Sequence, residues 1–228
     1  MQTDIILKGM KNREHQIKNK NACKKERREV AHFMRRLYRR GLTTTSGGNI
    51  SMRINDELIV ITPSATDKGR MRWSDVGIMS VLGENLTPDL KPSIEHALHI
   101  NIYKKNRDVS AIVHAHPVFA SSFTAMKACI NTSLTAEARA ICGQPKIVPY
   151  AMMGTKELAD IVAQYTAEAD VLLLENHGIL TTGSGLLQAF DKLEVLENAA
   201  KMTIIVGLTG KKKELGRTRI QQLDKLFR

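Results

Sequence analysis

Short apolar strands interleaved with amphipathic helices predict an α/β layered domain for this chain of 228 residues. Ala111-Ile112-Val113 and Val171-Leu172-Leu173-Leu174 are brief, continuously apolar runs of the kind that a sheet buries on both faces. Around them lie segments whose apolar residues recur every three or four positions, the spacing of a helix with one face on a core. Hydrophobic residues make up 43% and charged residues 25%, an ordinary globular balance that excludes a disordered chain. The length supports one sizeable core, and no linker divides it.

The elements follow in order. Residues 24–40 carry Val30, Phe33, Met34, Leu37 and Tyr38 at helical spacing among many charges, and Gly41 ends that helix. The small polar run of residues 43–51 predicts a loop leading into a strand at Ser51-Met52-Arg53-Ile54. A second strand is expected over residues 58–61, closed by Thr62-Pro63-Ser64, and a third within residues 76–82, before the turn at Gly83-Glu84-Asn85. Residues 93–105 read as a helix with Ile94, Ala97, Leu98 and Ile102 toward the core and with Glu95, His99 and Ile102 on an adjacent stripe. After the strand at 111–113, residues 154–164 predict a helix, and residues 171–174 a strand against which 179–182 can pair back. Leu187, Phe190, Leu193, Leu196, Ala200 and Ile204 trace a long helix, after which Lys211-Lys212-Lys213 begins a polar tail. Residues 126–149 show no clear pattern, and there is no internal repeat or low-complexity segment.

The formal net charge of +11 suggests a polyanion partner until it is divided along the chain. Residues 1–40 hold 13 Lys and Arg against 4 acids, residues 211–228 hold 7 against 2, and residues 41–210 hold 14 against 17. Charge confined to the flanks is the pattern of solvated helix faces and loose tails, so no nucleic-acid partner is expected. The expected organisation is a basic extension over 1–23, a folded domain over 24–208 and a basic tail over 209–228. Cys23, Cys129 and Cys142 lack the spacing of a disulfide framework or a thiolate metal site, which fits a reducing cytoplasm. The apolar run Ile5-Ile6-Leu7 is too short for a signal-peptide core, and no stretch is long enough to span a membrane.

Candidate chemistry gathers at strand ends. His114 and His116 are two residues apart, so if the extended backbone of their strand continues, both imidazoles point to one side of the sheet. His177 ends another strand, and strand ends are where α/β sheets build sites. Three neutral imidazoles suit zinc, with coordination positions left open for chemistry; histidines satisfied within a core are the other reading. Glu95 stands near a helix start, where the dipole favours an anion, which is a common structural arrangement in its own right. His96 and His99 are read as surface or packing residues. Ser46-Gly47-Gly48-Asn49, Ser64 and Ser93 place free backbone N–H groups and hydroxyls in loops, able to wrap a phosphate or simply to make turns.

Together these stretches resemble the class II aldolase/adducin family, and within it the L-fuculose-1-phosphate aldolase group. The matching residues are Ser46-Gly47-Gly48-Asn49-Ile50-Ser51, Ile61-Thr62-Pro63-Ser64, Lys91-Pro92-Ser93-Ile94-Glu95, Ile112-Val113-His114-Ala115-His116, Val148-Pro149-Tyr150 with Gly154-Thr155, and Glu175-Asn176-His177-Gly178, in family order over about 26–205. The resemblance implies a three-layer α/β/α sandwich around a mainly antiparallel or mixed sheet, in a homotetramer whose active site lies near a subunit boundary. It implies one zinc ion, or another divalent metal, per subunit, held by His114, His116 and His177. Glu95 would be the proton acceptor and donor, and also a metal ligand when no substrate is bound. Gly48, Asn49, Ser64, Ala65, Ser93 and Ile94 would surround the phosphate of a small phosphorylated sugar. The implied reaction is reversible cleavage of a ketose 1-phosphate through an enediolate, giving dihydroxyacetone phosphate and an aldehyde. A decarboxylase or epimerase on the same metal site, and a non-catalytic adducin-like binding protein, are the alternatives within the family. Two departures stand out. Ile94 removes a hydroxyl that the family often has, and the tyrosines of the fuculose enzyme are missing, with Glu137 a candidate replacement for one of them.

Overall fold

A computed structural model describes residues 22–227 of the chain. The extension expected over 1–23 therefore lies outside the described residues, apart from 22 and 23. Helix α1 (Lys24–Arg39) precedes a first hairpin, β1 (Asn49–Arg53) and β2 (Leu58–Ile61), and a third strand, β3 (Gly77–Ser80). Then come α2 (His96–Lys105), β4 (Ala111–Ala115), the short α3 (Val118–Ser122), α4 (Ala136–Cys142) and β5 (Lys146–Val148). The chain continues through α5 (Lys156–Tyr165), β6 (Val171–Leu174), β7 (Gly178–Gly183), the long α6 (Leu186–Thr209) and α7 (Arg217–Phe227).

The strands form one seven-stranded sheet in the order β3-β2-β1-β4-β7-β6-β5. Every neighbouring pair is antiparallel except β5 with β6, so the sheet is mixed and mainly antiparallel. Strand alternation sorts the side chains into two cores. Ile50, Val60, Ile78, Ala111, Val113, Val171, Leu173 and Ile179 face α1 and α6, with α3 and α4 beside them. Ile59, Ile61, Met79, Ile112, Leu172, Leu174 and Leu180 face α2 and α5. Helices therefore cover both faces, and the α/β/α sandwich is the observed architecture.

Local chemistry sets the helix ends. Thr135 and Thr155 cap α4 and α5 by accepting the N–H of Ala138 and Leu158. Gly210, at φ +64°, ends α6 in a left-handed turn. Along α6, Ala189, Phe190, Leu193, Leu196 and Ala200 are buried. Phe190 and Leu193 are fully enclosed, each stabilising the fold by about 1.5–3 kcal/mol relative to exposure.

Two regions differ from the sequence reading. The patternless stretch 126–149 contains α4 and β5, elements of seven and three residues that are too short to show a period. Residues 217–227, read as part of a polar tail, form α7, which packs on α4. No helix among the described residues is long and apolar enough to cross a membrane.

Candidate functional site

His114 is the fourth residue of β4 and is fully enclosed. It shares the α2/α5 side of the sheet with Ile112. His116 lies just past the strand end and precedes Pro117, and the residue before a proline is pushed into extended backbone. That restriction carries the alternation one residue beyond the ladder. The two rings lie 4.8 Å apart between centroids.

His177 reaches the same point from the β6–β7 turn. Leu174 pairs with Gly178, and between them Asn176 adopts φ +52°, a left-handed conformation that asparagine tolerates better than most residues. The turn swings the His177 ring to 4.8 Å from His114 and 5.7 Å from His116. One ligand atom from each of the three imidazoles lies within 4.8 Å of the others. Gly178 makes this approach possible, because a Cβ there would stand 2.5 Å from Cδ2 of His116 and 2.9 Å from the Ala115 carbonyl oxygen.

Glu95, at the start of α2, is only 5% exposed and lies between two of these rings. Its Oε2 is 3.3 Å from Nε2 of His114, and its Oε1 is 3.3 Å from Nε2 of His177. Nδ1 of His114 donates to the Ile179 carbonyl at 2.9 Å, which leaves Nε2 with its lone pair facing the carboxylate. Two acceptors facing each other inside a protein repel unless a cation or proton joins them. Glu95 Oε1, His114 Nε2 and both ring nitrogens of His177 are buried without a hydrogen-bond partner. These unpaired atoms, from two imidazoles and a carboxylate, together with the neighbouring His116 ring fit a divalent metal such as zinc.

The electrostatics agree with that donor set. Burial, reinforced by the neighbouring histidines, pushes His116 down to about 3. Burial, with His114, takes His177 to about 4. Both rings are therefore neutral at ordinary pH and free to ligate. Burial alone would raise the Glu95 carboxyl, but His114, His177 and the Asn49 hydrogen bond together hold it below its usual value.

The loop residues gather beside the histidines. Gly48, at φ +68°, packs so closely on β4 that a Cβ would lie 2.8 Å from the His114 carbonyl oxygen. The Ser64 N–H donates to the Lys91 carbonyl, and Pro63 bridges to Pro92, which brings Ser64 and Ala65 next to Ser93 and Ile94. The Lys68 N–H donates to Thr45, tying this pair of segments to the loop that carries Ser46. Ser46 and Ala65 are exposed, and Ile94 is half exposed. Ser93 is buried, with its hydroxyl receiving the Glu95 N–H. Asn49 is buried as well, and its amide turns toward Glu95. Glu137 is an exposed residue of α4, in the layer across the sheet from α2, apart from the histidine cluster.

His99, read from the sequence as a surface or packing residue, is a buried one. It is fully enclosed, bonded to Asn49 and Ser51, and lowered to about 3 chiefly by burial. The signal was its place four residues after Glu95 on one helical stripe. His96, by contrast, is partly exposed, and its Nδ1 meets the Ser93 carbonyl.

A family model described as the Class II Aldolase and Adducin N-terminal domain matches residues 28–204. The chain is 35% identical to an L-fuculose phosphate aldolase of Methanococcus vannielii over 80% of this chain and 96% of that one. It is 31% identical to a 3-oxo-tetronate 4-phosphate decarboxylase of Haemophilus influenzae, over 74% and 81% of the two chains. A solved structure of an L-fuculose 1-phosphate aldolase superposes with a TM-score of 0.82 at 28% identity, covering 89% of this chain and 96% of that one.

Proposed function

Because this chain belongs to the class II aldolase and adducin family, we propose that it is a zinc-dependent aldolase that reversibly cleaves a short ketose 1-phosphate into dihydroxyacetone phosphate and an aldehyde. The observation that carries this reading is the convergence of His114, His116, His177 and Glu95, with buried acceptor atoms left unpaired among them. L-Fuculose 1-phosphate, or a related short deoxy-ketose phosphate, is the substrate assigned.

His114, His116 and His177 hold the cation. When bound, it supplies positive charge beside the oxygens on which negative charge collects as the carbon–carbon bond breaks. The remaining steps belong to the chain's own residues. Glu95 keeps Oε2 on the Asn49 N–H and leaves Oε1 unpartnered, so Oε1 takes up and returns the proton at the carbon beside the carbonyl. Ser46, Gly48, Asn49, Ser64, Ala65, Ser93 and Ile94 surround the phosphate, using loop N–H groups and hydroxyls in place of a broad positive field. Tyr150, Met152 and Met153 are exposed apolar side chains in the segment before Gly154, which lies against Ile94, and we assign them to the subunit contacts of a homotetramer.

The similarity to a decarboxylase supports a second reading, loss of carbon dioxide from a phosphorylated keto acid at the same centre, because the same charge develops beside the carbonyl. One experiment separates the two. Metal content is measured by mass spectrometry on the wild type, His114→Ala and Glu95→Gln, while dihydroxyacetone phosphate and carbon dioxide release are assayed on each. We expect one metal per wild-type chain, its loss in His114→Ala, and a fall in cleavage of about 10²–10⁴-fold in Glu95→Gln with metal retained. Carbon dioxide without dihydroxyacetone phosphate selects the decarboxylase, and a metal-loaded wild type inert in both assays rejects both readings.

A further inference from the structure

Behind the carboxylate runs a buried chain of side chains of which the proposed chemistry uses only the first, Asn49. Asn49 donates from Nδ2 to Glu95 Oε2 at 2.8 Å, and Oδ1 of the same amide meets Nε2 of His99. Nδ1 of His99 lies 2.6 Å from the Ser51 hydroxyl, which lies 2.7 Å from the hydroxyl of Tyr103. Asn49, Ser51, His99 and Tyr103 are all at most 4% exposed. Two periodicities build the chain. Glu95, His99 and Tyr103 are spaced four apart on α2, about 6 Å per step. Asn49 and Ser51 are two apart on one face of β1, about 6.6 Å. The helix stripe and the strand face therefore stay in step and interlock.

We propose that His99 is a positioning residue for Glu95: as a neutral ring with its proton on Nε2, it locks the Asn49 amide with its N–H toward the carboxylate. The polarity follows from donor and acceptor counting, and it rests on the reading of Glu95 as an ionised proton carrier. A carboxylate only accepts, so the nitrogen of the Asn49 amide must face it. Oδ1 then faces His99 and needs a donor, which places the ring proton on Nε2. A neutral imidazole has one donor and one acceptor, so Nδ1 accepts from Ser51, and Ser51 accepts from Tyr103. Every link points from Tyr103 toward Glu95. Without the His99 donor, Oδ1 of Asn49 is an unpaired buried acceptor, and the amide is free to turn its oxygen against Glu95. Oε2 loses its anchor, and Oε1 loses its fixed aim at the reacting carbon.

The test combines a tautomer measurement with a pair of variants. In the full-length, zinc-loaded protein, nitrogen-15 NMR of the imidazoles, with His99 assigned by its disappearance in His99→Gln, should show a protonated Nε2 and an unprotonated Nδ1. A proton on Nδ1, alone or on both nitrogens, overturns the proposal. His99→Phe keeps a ring but no donor, whereas His99→Gln returns a side-chain N–H near the Nε2 position. Against the ketose 1-phosphate that the wild type cleaves, His99→Phe should lose about 10- to 100-fold in kcat with KM little changed and metal content intact. His99→Gln should recover most of that loss. Equal losses in the two variants, or full kcat in a folded His99→Phe, overturn the proposal. A wild type inert toward every ketose phosphate and keto acid defeats the functional reading instead, and the tautomer then decides the positioning role by itself.

Discussion

At Gly178 a single missing methyl group decides whether three rings can meet. A Cβ at this position would lie 2.5 Å from a carbon of the His116 ring and 2.9 Å from a backbone oxygen that cannot move without disturbing β4. Gly178→Ala should therefore displace His116, with a fold that survives and a metal affinity reduced by about 10- to 100-fold, the scale seen when a ligand's support is disturbed. Titration with zinc against a competing chelator measures it, and wild-type affinity in the variant would show that the ring has room to yield. The same scale explains why His99 read only as a surface or packing residue whereas His114 stood out. A His-x-His pair after an apolar strand signals itself along the sequence, whereas His99 acquires its meaning only from Asn49 and Ser51, about fifty positions away.

Among the elements, α2 and β1 set the geometry of Glu95, and their match could not be read before the fold was known. The pairing of Asn49 with His114 across β1 and β4 puts the amide proposed to orient the base beside a proposed metal ligand, a register that no local pattern specifies. The C-terminal helix shows the same limit. Its flank reads as solvated charge, yet Arg139 of α4 makes two hydrogen bonds to Asp224 of α7, at 2.8 and 2.6 Å. The Asp224 hydrogen bonds raise the Arg139 guanidinium, consistent with a formed ion pair that is partly open to solvent. Arg139→Ala should loosen α7 at a cost of up to about 1 kcal/mol, read from the midpoint of urea unfolding. Metal content should stay at the wild-type level, because neither residue belongs to the histidine cluster. A loss of metal in that variant would show that α7 supports the site.

For the whole molecule, the buried neutral histidines make stability depend on pH in one direction. His99, His116 and His177 are pushed down to about 3, 3 and 4, each with burial as the leading cause, whereas an unfolded histidine titrates near 6.5. Above about 6.5 the rings are neutral in both states and contribute no slope. As pH falls below it, the unfolded chain takes up protons that the folded chain refuses, so stability drops steadily and levels off only near 3–4. The metal-free protein should therefore show a thermal midpoint that declines from pH 7 to pH 4. His99→Gln should decline less steeply, and an unchanged slope in that variant would remove His99 from the account.

Much of this molecule was legible along the chain. The β strands other than β5, the main helices, the histidine pair and the spaced loop motifs depend on periodicity and on residues near in sequence, and these local constraints act before any distant contact forms. Tertiary structure decided the rest: the order of the strands, the helical C-terminal segment, the short elements between 126 and 149 and the hydrogen-bond chain behind Glu95. Each depends on groups that meet only after the sheet has closed, when burial removes water and every polar atom must find its partner within the protein.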